Sequence, residues 1–215
     1  MREPPKKPGQ TASSRHFRIR RLRRSELPAA TLELAPFLIG KTLVRELSAG
    51  RIIGRIVETE AYPPGDVAGH AFRGETPRNH SLFLGRGHAY VYFSYGSSWL
   101  LNVSSERPGV GAGVLLRALE IVDGFGLIRA AKGKAARQLD LARGPGRLGR
   151  ALRIDRRLDG KDLCAKGPLW LGTELWPQTA IGESVRIGIS RAMDRPFRFY
   201  ERGNPSVSGP LRLRT

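Results

Sequence analysis

The stretch RIVETEAY, residues 55–62, decides how this chain folds. It runs from apolar into acidic side chains and stops at Pro63-Pro64-Gly65, a sequence that forces a turn. Glu58 and Glu60 are separated by one residue, so on a strand both side chains point to the same face. The turn leaves Glu60 and Tyr62 at a strand end, where functional groups tend to be exposed. We therefore expect a rigid strand that carries chemically active side chains at its end.

A hairpin pattern follows this stretch. Residues 88–93 alternate apolar and aromatic side chains, residues 94–98 (SYGSS) favour a turn, and residues 99–103 return as the partner strand. Tyr95 stands at the tip, where the hairpin's own core cannot bury its ring. Two interpretations stay open: Tyr95 contacts something outside the fold, or it folds back over the sheet.

A single arginine interrupts a third strand pattern, residues 110–121. Arg117 stands within the apolar run GVLLRALE, and a charge in a buried strand is costly unless a carboxylate pairs with it. The candidate partners are Glu58, Glu60 and Glu120. Two carboxylates on one strand face could also bind a metal or act as an acid/base pair. A metal is the weaker alternative, because no further carboxylates nearby complete a ligand pattern.

The remaining patterns predict three helices and four strands. One helix begins near Pro28 and ends at Gly40, and two others cover residues 127–134 and 148–152. Strands are predicted at residues 41–47, 52–58, 168–172 and 184–189. The stretch RPFRFYERGNP, residues 195–205, suits either stacking on nucleic acid or a last strand that packs on the core.

The run RGPGRLGR, residues 143–150, matches the dinucleotide-binding pattern GxGxxG. We reject that interpretation because no hydrophobic strand precedes it, Pro145 occupies the tight turn, and no βαβ unit surrounds it. Two interpretations remain. Either a helix N-terminus flanked by arginines, Arg147 among them, binds a phosphate, or the glycines serve turn chemistry alone.

Composition bounds the class of partner. A chain of 215 residues can bury one substantial core, so one domain is expected. It has 37 Lys and Arg against 19 Asp and Glu, a net charge of +18. This balance favours a polyanionic partner, because basic side chains that neutralise phosphates release condensed counterions. The alternative is a basic surface that is merely solvated.

The basic character is dense in the first part of the chain. Residues 1–26 combine proline, serine and charge with little apolar content, and hold nine Lys or Arg against two Asp or Glu. We expect a disordered basic arm over residues 1–26 and a folded domain over residues 27–215. The arm could tether the protein to nucleic acid or act only as a solubilising tail.

Several classes of protein are disfavoured by what the sequence lacks. Cys164 is the only cysteine, which excludes an intrachain disulfide and a thiol-rich zinc site. The four histidines lack the HExxH spacing of a helical metal site. No run approaches the ~18 consecutive apolar residues of a membrane span, and we expect no secretory signal, because the N-terminal residues lack an apolar h-region. We expect a soluble, intracellular protein without a metal or other cofactor.

Nine blocks of this sequence occur in a familiar order. They are ETEAY, Asp66…His70, TPRN, YVYFSYG, LNV, LLRALE, GPGRL, RIGI and PFRFYERGNP. Together they resemble the alkyladenine (methylpurine) DNA glycosylase family over residues 27–208. The resemblance is highly specific, because several of the blocks are distinctive.

The resemblance implies a base-excision-repair enzyme that flips a damaged purine out of duplex DNA, because the glycosidic bond is inaccessible in the stack. Glu60 would be the general base, activating a water that attacks C1′ of the deoxyribose. Arg117 and the backbone carbonyl of Ile187 would hold that water. No lysine stands in these blocks, so we expect hydrolysis to an abasic site without a Schiff-base lyase step.

The same resemblance implies which residues contact DNA. Those around the flipped base would be Tyr62, His70, Tyr92, Asn102 and Leu115. Asn102 would clash with the exocyclic amine of guanine. Those that contact the rest of the DNA would be Tyr95, Thr76, Arg147 and Gly188. Tyr95 would enter the minor groove and fill the vacated space.

Two positions depart from the family's pattern. The segment from Tyr62 to His70 is one residue shorter than is usual, and Ser97 stands where methionine is common after the YG pair. Both departures could alter the range of lesions. Neither touches Glu60.

We therefore expect an α+β fold: a single domain with a curved, mainly antiparallel β-sheet, a protruding β-hairpin and flanking helices. The expected partner is double-stranded DNA with damaged purines (alkylated adenine or guanine, hypoxanthine, ethenoadenine). We expect a monomer that is cytoplasmic and nucleoid-associated in a bacterium, or nuclear in a eukaryote. The alternative is a non-catalytic basic DNA- or RNA-binding module, which would gain nothing from a carboxylate that repels phosphates.

Overall fold

Eight strands and three helices make up the regular structure of the computed structural model, which describes residues 18–94, 96–132, 137–177 and 180–210. The strands are β1 (Thr42–Leu47), β2 (Gly50–Tyr62), β3 (Ala89–Ser94), β4 (Ser98–Ser104), β5 (Gly113–Asp123), β6 (Leu169–Gly172), β7 (Ile181–Ser184) and β8 (Arg198–Glu201). The helices are α1 (Thr31–Leu38), α2 (Phe125–Lys132) and α3 (Pro145–Ala151).

All the strands in these ranges belong to one antiparallel sheet, whose main path is β3-β4-β5-β2-β1-β6. The long strand β2 is its centre. One edge of β2 pairs with β5, while the other edge pairs first with β1 and then, from Glu58 to Glu60, with β8. The curled sheet with its flanking helices confirms the α+β fold and the hairpin expected from the sequence.

Burial on both faces of β2 explains its long apolar run. Every residue from Ile52 to Ala61 is buried. Helix α1 packs Leu34, Ala35 and Leu38 toward the sheet, and the Thr59 hydroxyl donates to the Ala35 carbonyl at 3.0 Å. A strand covered on both sides cannot shift its register without exposing apolar side chains, so the end of β2 is rigid.

A bulge lies where the acidic residues begin. The register of β2 against β5 passes from Glu58 opposite Ala118 to Thr59 opposite Leu116, which leaves Arg117 without a directly opposed residue. Bulges bend a strand and re-aim side chains. This one brings the Arg117 side chain within reach of carboxylates on either side of the irregularity.

Helix α3 packs against strand β4 of the β3–β4 hairpin. The backbone of Gly149 approaches so closely that a Cβ there would lie 2.0 Å from the Trp99 carbonyl oxygen. Only glycine permits this approach of helix to strand. Helix α3 begins at Pro145, three residues before the predicted start, because proline fits the first helical turn. Tyr95, at the hairpin tip, lies outside the described residues.

The expected domain boundary at Leu27 is wrong for the described part of the arm. Leu22 is 3% exposed, and its amide donates to the Leu171 carbonyl at 2.9 Å. Arg21 forms a bridge to Gly172 at the free edge of β6. Residues 18–26 therefore belong to the folded domain, because Leu22, the partly buried Ile19 and the sheet edge anchor a segment that is rich in arginine. Residues 1–17 lie outside the described ranges.

The strand predicted at residues 184–189 is also wrong. The strand in this region is β7, which ends at Ser184. Beyond it the backbone leaves the sheet because the Arg186 side chain turns inward to Asp66 and the Ile187 amide donates to the Glu60 carboxylate. Among the described helices, none has the length and apolar character needed to cross a membrane.

Candidate active site

Glu60 is the centre of a buried polar cluster at the end of β2. Its side chain has no exposed surface, so its oxygens depend on protein donors. The Ile187 amide donates to Oε1 at 2.7 Å, and Arg117 Nη1 lies 3.0 Å from the same oxygen. The Tyr62 hydroxyl donates to Oε2 at 2.9 Å. Two hydrogen bonds and one ion pair, from three segments of chain, therefore fix the orientation of this carboxylate.

Glu58, two residues earlier, has a different environment. Its Oε1 accepts from Arg117 Nε at 2.8 Å, Arg198 Nε at 2.7 Å and the Ser208 hydroxyl at 2.8 Å. Its Oε2 accepts from the Ser208 amide at 2.7 Å. Burial alone would raise the pKa of Glu58, but Arg117 and Arg198 outweigh it and hold the pKa below its ordinary value. Glu58 is therefore a fixed anion that anchors two arginines.

Arg117 joins the two carboxylates. Besides its contacts with Glu58 and Glu60, its Nη1 donates to the Ile187 carbonyl at 3.4 Å. Burial alone would lower the pKa of Arg117. The negative charges of Glu60 and then Glu58 outweigh this effect, so the pKa lies above its ordinary value. The predicted carboxylate partner of this arginine is confirmed. The third candidate, Glu120, instead lies 3.6 Å from Arg55.

Ile187 takes part through its backbone. Its amide donates to Glu60 and its carbonyl accepts from Arg117, while 37% of the residue is exposed. The next residue, Gly188, has φ +80°, a conformation that turns the chain away from the sheet. A backbone group is set by the path of the loop rather than by the residue type, so position 187 carried no chemical signal in the sequence.

One row across the sheet brings the predicted site residues together. Tyr90 is paired with Asn102, Asn102 with Leu115, Leu115 with Glu60, and Glu60 with Arg198. Directly opposed residues in antiparallel strands point to the same face. The row therefore places Asn102 and Leu115, which are 6% and 4% exposed, on the same face as Glu60.

Two further aromatic rings lie against Tyr90, the first residue of this row. The Tyr92 ring stacks on Tyr90 at a centroid distance of 5.4 Å, and the His70 ring lies edge-on to Tyr92 at 4.4 Å. His70 Nδ1 and the Tyr90 hydroxyl are 2.9 Å apart. Burial, and then Arg78, lower the pKa of His70 below its ordinary value, so the imidazole is neutral at neutral pH. Tyr90 was not among the predicted site residues, although its spacing from Tyr92 indicates a shared strand face.

Tyr62 links the aromatic and the charged groups. Its hydroxyl donates to Glu60, and the Arg186 guanidinium carbon lies 4.7 Å from its ring centre. Burial and the Glu60 charge raise the pKa of Tyr62 far above its ordinary value. The hydroxyl therefore stays protonated and remains a donor across the physiological range.

Thr76 and Arg147 contact other groups. The Thr76 amide and hydroxyl donate to Asn79 Oδ1 at 2.6 and 2.9 Å, so Thr76 helps to close a turn. The Arg147 side chain is 49% exposed on α3, with Nη1 3.6 Å from Asp140. The predicted DNA-contact role of these residues, like that of Tyr95 and Gly188, stays a prediction.

Asp66 and Arg186 form a charged pair that was not among the site residues expected from the sequence. Both side chains are fully buried, and Arg186 donates with both terminal nitrogens to Asp66. One signal could have found them: Arg186 interrupts the apolar run SVRIGI, as Arg117 interrupts its own run, and such an arginine needs a carboxylate. No group of three or more His, Cys, Asp or Glu side chains in the described ranges is arranged to hold a metal ion.

Comparison with known proteins connects this site to a family. Residues 25–205 match the family model of the methylpurine-DNA glycosylases. A Mesorhizobium japonicum protein named "Putative 3-methyladenine DNA glycosylase" is 62% identical over 190 residues, which cover 88% of this chain and 91% of that protein. Proteins of the same name from Paraburkholderia phytofirmans and Methanocella arvoryzae are 51% and 45% identical. Those matches cover 89% and 83% of this chain, and 90% of each relative.

These matches define the protein as a monofunctional DNA glycosylase, an enzyme whose substrate is DNA. More narrowly, the chain belongs to the methylpurine-DNA glycosylase family, whose members act on methylated purines. The resemblance read from the sequence motifs is thereby confirmed.

Proposed function

We propose that this enzyme rotates a damaged purine nucleotide out of duplex DNA and hydrolyses its N-glycosidic bond with a water activated by Glu60. One observation carries the proposal. Glu58 accepts four hydrogen bonds, from Arg117, from Arg198 and two from Ser208, whereas Glu60 accepts two, from the Ile187 amide and the Tyr62 hydroxyl, and forms an ion pair with Arg117. A carboxylate has about four acceptor sites, so Glu60 can still accept from a water beside Arg117 and the half-exposed Ile187, whereas Glu58 is enclosed by buried Arg198 and Ser208.

The neighbours of Glu60 support a bound water at that site. Arg117 Nη1 lies 3.0 Å from Glu60 Oε1 and 3.4 Å from the carbonyl oxygen of Ile187, the residue whose amide donates to Glu60. A water that donates to Glu60 and to the carbonyl would present a lone pair to C1′ of the deoxyribose. The cleavage passes through an oxocarbenium-like state, which the negative charge of Glu60 also stabilises.

The aromatic residues support a pocket for an extrahelical base. A glycosidic bond inside the stack is out of reach of a buried carboxylate, so the nucleotide must leave the duplex. Tyr62, Tyr92 and His70 lie around the row that contains Glu60, and aromatic faces attract a cationic base. Alkylated purines carry that charge and leave readily, while hypoxanthine and ethenoadenine need protonation or hydrogen bonding of the leaving group.

Two side chains extend the proposal to base discrimination and to the duplex. Asn102 is buried beside Leu115, and its Nδ2 donates to the Tyr90 carbonyl at 3.4 Å, which holds the amide in the row. We assign it a steric clash with the guanine exocyclic amine, which disfavours unmodified guanine; 7-methylguanine is released in spite of this clash because its positive charge makes it a good leaving group. Tyr95 would fill the space that the extruded nucleotide leaves.

We also propose that the enzyme works as a monomer bound to the nucleoid. Glu60, Arg117 and Ile187 come from one chain, so the reaction needs no second copy. The net charge of +18 favours continuous association with DNA. Sedimentation of the free enzyme and its complex with a short duplex would show a larger assembly if this proposal is wrong.

The reaction is tested with duplex oligonucleotides that each carry one 7-methylguanine, 3-methyladenine, hypoxanthine or ethenoadenine. We expect release of the free base and a strand that breaks only after alkaline treatment. Borohydride should trap no covalent complex, because no lysine takes part. Bound DNA without base release on any substrate would instead indicate a binding module, especially if Glu60→Gln strengthened that binding.

A further inference from the structure

A buried ion pair lies behind the proposed water site. Arg186 and Asp66 have fully buried side chains; Arg186 Nη2 donates to Asp66 Oδ1 at 3.2 Å, and Nη1 contacts the other oxygen. Asp66 Oδ1 also accepts from the Ala68 amide at 3.0 Å. Because an unpaired buried charge is costly, the two side chains hold each other in place.

Arg186 also contacts both sides of the Glu60 cluster. Its Nη1 donates to the Ala61 carbonyl at 3.0 Å, between Glu60 and Tyr62 in the chain. Its guanidinium carbon lies 4.7 Å from the ring centre of Tyr62 and 5.4 Å from that of Phe197. The residue that follows Arg186 is Ile187, whose amide and carbonyl face Glu60 and Arg117. One guanidinium thus fixes the end of β2 and the loop opposite it.

The electrostatics of this arrangement act on Tyr62. A cation on one face of an aromatic ring is attracted by the ring's quadrupole. A second cation on the opposite face is then repelled by the first. Asp66 neutralises the guanidinium, which removes that repulsion and leaves the opposite face of Tyr62 attractive to a positive base.

We propose that Arg186 is a positioning residue for Tyr62 and Ile187, and that Asp66 is a specificity-determining residue that allows Tyr62 to accept a cationic purine. This inference rests on the proposed function, because it assumes that Tyr62 stacks on the extruded base. It concerns which lesion is preferred and leaves the chemistry of Glu60 unchanged.

The test compares a cationic and a neutral lesion in the same sequence context. Single-turnover excision of 7-methylguanine and of hypoxanthine is measured at saturating enzyme. Asp66→Asn should slow excision of 7-methylguanine about tenfold more than excision of hypoxanthine, since a cation–π contact with Tyr62 is lost only by the charged base. The double variant Asp66→Asn/Arg186→Gln removes both charges and should restore the wild-type ratio of the two rates.

Arg186→Lys is the matched positional variant, because it keeps the charge and Asp66 but not the planar group. It should slow both lesions alike and leave their ratio unchanged, which also tests the inference if Asp66→Asn does not fold. An unaltered ratio in folded Asp66→Asn, or an altered ratio in Arg186→Lys, would overturn the specificity role with base excision intact. Wild-type enzyme that excises neither lesion would overturn the proposed function and this inference together.

Discussion

His70 is neutral because of its position against the tyrosines of the hairpin. Burial lowers the pKa of its imidazole below the ordinary 6.5, and the charge of Arg78 lowers it further. The folded state therefore takes up a proton at lower pH than the unfolded chain does. The stability that depends on neutral His70 is present above pH ~6.5 and is lost as the pH falls below that value.

An NMR titration of the histidine side chains checks this protonation state. The His70 midpoint should lie below 6.5, the ordinary value, because burial and a nearby cation both disfavour the imidazolium. Arg78→Gln removes the cation only, so the midpoint should rise and still remain below 6.5. A His70 midpoint at or above the ordinary value would contradict the packing described for this residue.

Single residues also show how far the sequence predicts the site. Arg117 was assigned a carboxylate partner because an arginine in an apolar strand needs one, and the structure supplies two. Arg186 also stands in an apolar run, yet its partner Asp66 is 120 positions away in the sequence, and strands β3 to β7 lie between the two residues along the chain. Local patterns identify a residue that needs a partner, but only the path of the chain identifies the partner.

At the scale of the secondary-structure elements, helix α3 packs closely against strand β4 of the hairpin. The predicted hairpin strands agree with β3 and β4 to within one residue, because alternating aromatic side chains specify both the strands and their register. The strand predicted at residues 184–189 fails because its hydrogen bonds go to the active-site cluster instead of to a neighbouring strand. Periodicity predicts elements of the sheet and does not predict loops that a site holds in place.

A glycine pair tests the contact between α3 and β4. Gly149→Ala should lower the free energy of unfolding by about 2–3 kcal/mol, because its Cβ would lie 2.0 Å from the Trp99 carbonyl oxygen. Gly126→Ala, in α2, meets nothing within 4 Å and should raise that free energy by about 0.5–1 kcal/mol. Urea denaturation of both variants measures the difference. Equal changes would mean that α3 does not approach the strand so closely.

At the scale of the whole molecule, the N-terminal segment 18–26 is both rich in positive charge and part of the folded domain. Residues 18–26 are charged and still anchored, since Leu22 is buried and Arg20 pairs with Glu26 at 2.7 Å. Composition alone assigned this segment to a disordered arm, because two apolar residues, Ile19 and Leu22, carry little weight in an average dominated by arginine. The folded boundary therefore lies earlier than the composition indicates.

Two truncations test that boundary. Removal of residues 2–17 takes away four Lys or Arg and one Glu, and should change the free energy of unfolding by less than about 0.5 kcal/mol. The salt dependence of DNA affinity should become shallower, by up to about 3–4 in the logarithmic slope. Removal of residues 2–26 also exposes the site of Leu22 and should cost about 2–3 kcal/mol more. Equal stability of the two truncations would place the domain boundary at Leu27 after all. An unchanged salt dependence of DNA affinity would mean that the arm is only a solubilising tail.

The central claim is that Glu60, and not its neighbour Glu58, activates the water. The most direct measurement is single-turnover excision of 7-methylguanine from a duplex by Glu60→Gln and by Glu58→Gln, with DNA affinity and the free energy of unfolding measured on the same samples. Glu60→Gln should bind DNA and lose about a thousandfold in rate. Glu58→Gln should be less stable by about 3 kcal/mol, because it leaves buried Arg117 and Arg198 short of an anion, and its folded fraction should still excise the base. Excision that survives in Glu60→Gln and is lost in folded Glu58→Gln would contradict the claim and assign the catalytic base to Glu58.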